Sequence, residues 1–217
     1  MDGFKGRPGG KGKLRVLITA GPTREYIDPV RFISNDSSGM MGFALAAAAR
    51  DMDCLVTLIS GPVALKTPEG VTRIDVVSAE QMYREVKKRA AKSDVIIMAA
   101  AVADWRPRRM LKEKMKKGPI PPDMELVRTH DILMEIGKRR RPNQRVVGFA
   151  LETTNLEENA REKMRKKGCS WVVANTQDAI GAAASRAILF SRSGKKIKFP
   201  RLPKEDLAFR IMSHVLG

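Results

Sequence analysis

The stretch that most constrains this chain lies near its start. An apolar run, Leu14 to Ala20, stops at Gly21-Pro22-Thr23-Arg24-Glu25, and Ile33-Ser-Asn-Asp-Ser-Ser-Gly39 follows. A short, almost continuously apolar run reads as a strand buried on both faces. Gly21 and Pro22 permit a sharp exit from it, and Gly39 then opens an alanine-rich helical run, Phe43 to Arg50. A Gly/Ser turn feeding a helix N-terminus is a ready anion site, because unpaired N–H groups and the helix dipole both favour negative charge. The spacing is not the dinucleotide fingerprint: no G-x-G-x-x-G follows the first strand, and Pro22 and Arg24 occupy the turn. A phosphate-bearing ligand is expected here by another arrangement.

The rest of the chain repeats the alternation. Helix Gly42–Met52, strand Leu55–Ile59 and strand Thr72–Val77 follow in order. Ser78-Ala-Glu-Gln81 has capping-box spacing, and the helix it opens places Met82, Val86 and Ala90 on one face. Asp94 to Asp104 is a strand running into a small-residue turn. Residues 106–125 are basic and proline-rich with little periodicity, so a mobile flap is expected. Helix Asp131–Arg139, strand Arg145–Ala150, helix Leu156–Lys167 closed by Gly168, and strand Trp171–Ala174 come next. Ala187–Phe190 and Lys195–Phe199 form a hairpin around Ser193-Gly194, and Lys204–Leu216 is the last helix. This order predicts an α/β, Rossmann-like fold: a mainly parallel sheet with helices on both faces, a basic flap and a small hairpin. The turns after strands one, four, five and six then meet on one sheet edge, where ligands bind in such folds.

At 217 residues the chain suits one α/β domain, read here as 14–217 behind a disordered Gly/Lys-rich leader, 1–13. Cys54 and Cys169 have no C-x-x-C spacing, which points away from a zinc site or disulfide framework and toward the cytoplasm. No apolar run is long enough to span a membrane. The formal charge of +17 raises nucleic-acid binding as an alternative. The cations stand in blocks, however, and aromatics make up only 5%, too few to interleave as stacking platforms.

Four groups of residues carry a family resemblance: Gly21-Pro-Thr-Arg-Glu25 with Asp28-Pro-Val-Arg31 and Ser34-Asn35; Ala99-Ala-Ala-Val-Ala-Asp104; Lys114-Met-Lys-Lys117; and Gly148-Phe-Ala-Leu-Glu-Thr153. From Leu14 to the C-terminus the chain resembles the bacterial-type, CTP-dependent phosphopantothenoylcysteine synthetases of coenzyme A synthesis. In many bacteria that domain follows a flavin-dependent decarboxylase in one protein. The resemblance here is to a free-standing synthetase, with a separate decarboxylase partner expected.

The resemblance implies a ligase that activates the carboxylate of 4′-phosphopantothenate with CTP and Mg²⁺, then joins the acyl-cytidylate to cysteine. It implies a homodimer whose partner helps complete the substrate site. Lys114 is expected to grip the triphosphate from a closing loop. Asn35 is expected to donate from its carboxamide to the reacting carboxylate. Arg31 would hold the pantothenate phosphate, while Ala100 and Ala101 leave room for substrate. Gly21, Asp104, Phe149, Lys163 and Lys167 would surround the nucleotide, with Glu152 a helix cap or Mg²⁺ support and no residue assigned as a dedicated metal ligand. The chain departs from the family pattern in Thr129-His130 where Asn-Pro is usual, in Met40 where a lysine follows Ser-Ser-Gly, and in Gly181–Ser185, which lacks the usual acidic and amide residues. An NAD(P)-dependent oxidoreductase is the rival enzyme class. It is disfavoured by the missing glycine fingerprint and by Ser60-Gly61-Pro62 where an acidic residue would end the second strand.

Overall fold

The computed structural model describes residues 12–116, 123–151, 155–175 and 181–217. Eight strands form one sheet: β1 (Arg15–Ala20), β4 (Leu55–Ser60), β5 (Thr72–Asp75), β6 (Val95–Met98), β9 (Arg145–Leu151), β10 (Trp171–Asn175), β11 (Ala184–Ser191) and β12 (Lys196–Pro203). Their spatial order is β12-β11-β10-β9-β6-β1-β4-β5. From β10 to β5 every neighbouring pair is parallel, and β11 and β12 close one edge antiparallel. This is the α/β, Rossmann-like arrangement expected. The ends of β1, β6, β9 and β10 therefore stand side by side on one edge.

The period-2 alternation of a strand sorts the core into two faces. On β1, Val16, Ile18 and Ala20 face helices α1 (Met40–Asp51) and α5 (Lys204–Leu216), whereas Leu17 joins the opposite cluster. Leu207, Ile211 and Val215 repeat every four residues along α5 and are fully buried there, each a gain of about 1.5–3 kcal/mol over exposure. The opposite face is covered by α2 (Ala79–Ala90) through Met82 and Val86, and by α3 (Ile132–Lys138) through Ile132 and Ile136. Helix α4 (Leu156–Lys167) packs Ala160 and Met164 over Ala150, Val172 and Ala174. Cys169 lies in that cluster, and burial pushes its thiol up to about 11; both cysteines are free.

Local sequence signals set the element ends. Ser78 Oγ accepts from Gln81 N at 3.2 Å while Gln81 Oε1 accepts from Ser78 N at 3.3 Å, the reciprocal capping box. Gly168 ends α4 at φ 71°, a conformation glycine adopts without steric cost. Two hairpins stand off the sheet: β2 (Arg24–Tyr26) with β3 (Phe32–Ser34), and β7 (Trp105–Pro107) with β8 (Leu126–Arg128). The first was not expected, because three-residue strands are too short to show a period. The second bounds the segment expected to be a flap, of which 117–122 lie outside the described residues. Of the leader read as 1–13, residues 1–11 likewise lie outside them. Among the described residues no helix is long and apolar enough to cross a membrane.

The sheet edge is closely packed where β4 meets the exit of β1. A Cβ built on Gly61 would lie 1.7 Å from the Pro22 carbonyl oxygen, a backbone atom that cannot swing aside. Gly61→Ala is therefore expected to lower stability by about 1–3 kcal/mol, read as a shift in the urea midpoint at unchanged slope. A midpoint equal to that of the parent would show that the β1 exit is free to move.

Candidate active site

Where the strand ends meet, a cavity of about 560 Å³ opens. Its first wall is the segment Asn35–Gly42, which enters α1. Gly39 is the N-cap of α1 at φ 78°, and no side chain caps the first turn. The helix dipole and the uncapped N–H groups of that turn thus face a cavity lined by Met40, Met41 and Gly42. A Cβ on Gly42 would approach Ala20 Cβ to 2.5 Å, so only glycine lets this turn sit directly on β1.

The second wall is the Ala99–Asp104 turn after β6, held by four side chains. Thr19 Oγ1 accepts from Ala100 N at 3.2 Å, and Thr23 Oγ1 from Ala103 N at 3.0 Å. Thr129 Oγ1 donates to Ala103 O at 2.6 Å. Asn35 Nδ2 donates to the carbonyls of Ala101 and Val102, at 3.2 and 3.0 Å. Two acceptors on one side force the amide nitrogen to point there. The oxygen of Asn35 is then the side left for a ligand, reversing the donor geometry expected from sequence.

The far walls come from β9, β10, α4 and the start of α5. Phe149 and Lys163 line the cavity, together with Ala100, Ala101 and Asp104. Six of the expected residues, Asn35, Ala100, Ala101, Asp104, Phe149 and Lys163, are thus brought together. Gly21 does not line the cavity. It lies beneath the wall at φ 73°, its Cα 3.4 Å from where a Cβ on Gly39 would be. Lys167 pairs with Asp131, which also caps α3 by accepting from Met134 N at 3.0 Å. The i,i+4 spacing put both lysines on one face, but Asp131 captures the second. His130 stacks on Tyr83, with centroids 4.1 Å apart, and reaches Glu80 at 3.3 Å. Glu152 lies outside the described residues.

Arg31 and Lys114 do not line the cavity; they belong to the hairpin module. Asp28, fully buried, organises it. Its Oδ1 accepts from Val30 N and Arg31 N, both at 2.8 Å, and its Oδ2 from Arg31 Nε at 2.9 Å and Met115 N at 3.1 Å. Arg31 Nη2 in turn donates to Met115 O at 2.6 Å. Burial pushes the Asp28 carboxyl up, but these backbone N–H groups and the Arg31 guanidinium outweigh it and hold the group well below the usual carboxylate range. Arg31 and the backbone beside Lys114 are therefore one unit, and the side chain of Lys114 is exposed.

Two residues that sequence reading did not select also line the cavity: Asn175 at the end of β10 and Lys204 at the start of α5. Both are buried, at 8% and 5% exposure. A buried lysine opening a helix is an anomaly visible in sequence only once the helix start is known. Among the described residues no group of three His, Cys, Asp or Glu is placed to hold a metal. Among the described residues, Asp36 and Asp104 are the cavity's carboxylates. That donor set fits Mg²⁺, which takes one or two carboxylates and completes its shell with substrate phosphates and water. A depression of about 630 Å³ along the outside of α4, from Asn155 to Arg165, meets no end of β1 or β6.

The profile of the family described as DNA/pantothenate metabolism flavoprotein C-terminal domain matches residues 11–217. The chain belongs to this family. It is 43% identical over 205 residues to the coenzyme A biosynthesis bifunctional protein CoaBC of Bacillus subtilis, covering 92% of this chain and 50% of that protein. To the protein of the same name from Haemophilus influenzae it is 39% identical over 206 residues, covering 94% and 51%. The chain thus spans about half the length of the curated relatives it matches. The crystal structure of the C-terminal domain of a CoaBC protein superposes with a TM-score of 0.82 at 40% identity, covering 94% of this chain and 95% of that one.

The lowered Asp28 carboxyl links the hairpin module to pH. Its stabilisation is complete above the unfolded-state value, about 3.9, and is lost as pH falls toward the lower folded value. Asp28→Asn is expected to be less stable than the parent at pH 7, with the gap narrowing below about pH 4 in urea titrations. A gap independent of pH would remove the charge of Asp28 from the account.

Proposed function

We propose that this chain is a phosphopantothenate–cysteine ligase driven by CTP, acting in coenzyme A synthesis. The observation that carries the reading is the convergence of Asn35, the Ala99–Asp104 turn, Phe149 and Lys163 on one cavity at the uncapped start of α1. The similarity to coenzyme A biosynthesis bifunctional proteins supports it.

In this reading the triphosphate lies along the first turn of α1, where N–H groups and the dipole stabilise charge without reorganising. Lys163 adds a cation, Asp104 accepts from sugar or base donors, and Phe149 packs against the base. Asp36 or Asp104 would help hold Mg²⁺, which would supply charge neutralisation. The carboxylate of 4′-phosphopantothenate attacks the α-phosphorus and pyrophosphate leaves. The amine of cysteine, having lost a proton, then attacks the acyl carbon, and CMP leaves with the bonding pair. Asn35, its donors committed to Ala101 and Val102, presents its oxygen as an acceptor that can orient the incoming amine.

Arg31 and Lys114 are assigned to a neighbouring subunit's cavity in a homodimer. Two observations support this. Both lie outside the cavity of their own chain, and the hairpins that carry them expose Phe32, Trp105, Met110, Leu111 and Leu126. Such a cluster of exposed large apolar side chains marks an interaction surface. A cytoplasmic setting accords with two free thiols.

Purified protein should release pyrophosphate from CTP when 4′-phosphopantothenate is present and cysteine is withheld. Lys114→Ala should slow that release by about 100-fold or more without moving the melting temperature, since the side chain is exposed. No release from any nucleotide by the parent would sink the ligase reading, and near-parental release by the variant would remove Lys114 from the site. Asn35→Ala should keep part of the pyrophosphate release but slow amide formation by about 100-fold. Equal slowing of both half-reactions would contradict a role in orienting the amine.

A further inference from the structure

We propose that Lys204 and Asn175 are ligand contacts of the cavity, Lys204 holding the phosphate chain of a nucleoside triphosphate and Asn175 accepting a hydrogen bond from its nucleoside portion. The identity of the nucleotide rests on the ligase reading; the presence of a polyphosphate site does not.

Lys204 is placed where a lysine is costly. It is 5% exposed, and burial lowers the proton affinity of its amine, with Glu205 as the opposing charge. It is also the first residue of α5, at the positive end of the helix dipole, where cations are disfavoured. The backbone cannot carry it away: Pro203 is both the last residue of β12 and the N-cap of α5, and Lys204 N is bonded to Ala183 O at 3.0 Å. An anion in the cavity offsets both costs at once. The same cavity already presents the uncapped start of α1 and Lys163, so two helix starts and two lysines line one space.

Asn175 supplies an independent observation. Its carboxamide Oδ1 is sealed from solvent and has no hydrogen-bond partner among the described residues. A buried acceptor without a donor is unfavourable unless something arrives to fill it. Asn175 itself lines the cavity, and its χ2 is a soft terminal torsion, so the carboxamide can adjust to a donor arriving there. The ligand that satisfies both residues must carry anionic oxygens together with O–H or N–H donors. A nucleoside triphosphate has both, whereas inorganic tripolyphosphate has only the first.

Binding of inorganic tripolyphosphate and of CTP by calorimetry separates the two contacts. K204M keeps the buried stem and removes the charge; it should weaken both ligands by about tenfold or more while the free protein melts no lower than the parent. K204R should recover binding to within about threefold of the parent. N175A should weaken CTP by about fivefold or more and leave tripolyphosphate within about twofold. Parental affinity in K204M, or equally poor binding by K204R, overturns the role of Lys204; equal losses of both ligands in N175A overturn that of Asn175. If K204M does not fold, acylation of Lys204 in the parent protein, followed by mass spectrometry, decides: tripolyphosphate slows it if the lysine holds the anion and leaves it unchanged if not. Lys204-dependent tripolyphosphate binding in a parent that makes no amide would sink the ligase reading alone. An active parent whose K204M variant keeps its KM for CTP would sink this site alone.

Discussion

Two threonine hydroxyls hold the crevice in shape. Thr19 and Thr23, both fully buried, accept from the backbone of Ala100 and Ala103 and so fasten the exit of β1 to the exit of β6. Pro22 and Ala101 form an isolated bridge between the same two exits. Small residues at Ala99–Ala101 leave the space, and hydroxyls beneath them keep the turn from collapsing into it. A buried hydroxyl with no partner would be unfavourable, so each contact satisfies a polar group and positions a loop in one act. Asn35 and Thr129 complete the clamp from the opposite sides.

The order of the parallel strands makes this clamp useful. Because β10, β9, β6 and β1 are consecutive neighbours, the exits of β9, β6 and β10 line one cavity, and the Asn35–Gly42 segment, reached from β1 through the β2–β3 hairpin, adds a further wall. The antiparallel return through β11 and β12 then brings the start of α5 back to the same place. Charge gathers there by topology: residues 35–42, 163 and 204 are far apart in the chain and share one space only because of the sheet.

The long elements were legible in sequence because each carries a clear period or a cap. The apolar run before Gly21, the Ser78–Gln81 box, Gly168 and the Ser193-Gly194 turn all stand where they were read. The β2–β3 hairpin was not, since three residues cannot establish alternation. Within the site, Asn35, Asp104 and Phe149 sit at strand exits and turns that the alternation of elements already located. Lys163 and Lys167 were indistinguishable in sequence, and only the position of Asp131 separates them. Lys204 and Asn175 were hidden for a different reason. The relevance of Lys204 depends on where the antiparallel edge returns the chain, and that of Asn175 on an acceptor left buried without a donor, neither of which a local pattern encodes. The orientation of the Asn35 amide likewise depends on two carbonyls more than sixty residues away.

The knot at Asp28 has a mechanical meaning. Arg31 and the backbone of Met115 share one buried carboxylate, and Arg31 also grips the carbonyl of Met115. The guanidinium and the loop segment that carries Lys114 are thus tied to each other through Asp28 and Met115. If Arg31 and Lys114 each meet an anion, as proposed, the position of the first contact therefore constrains that of the second.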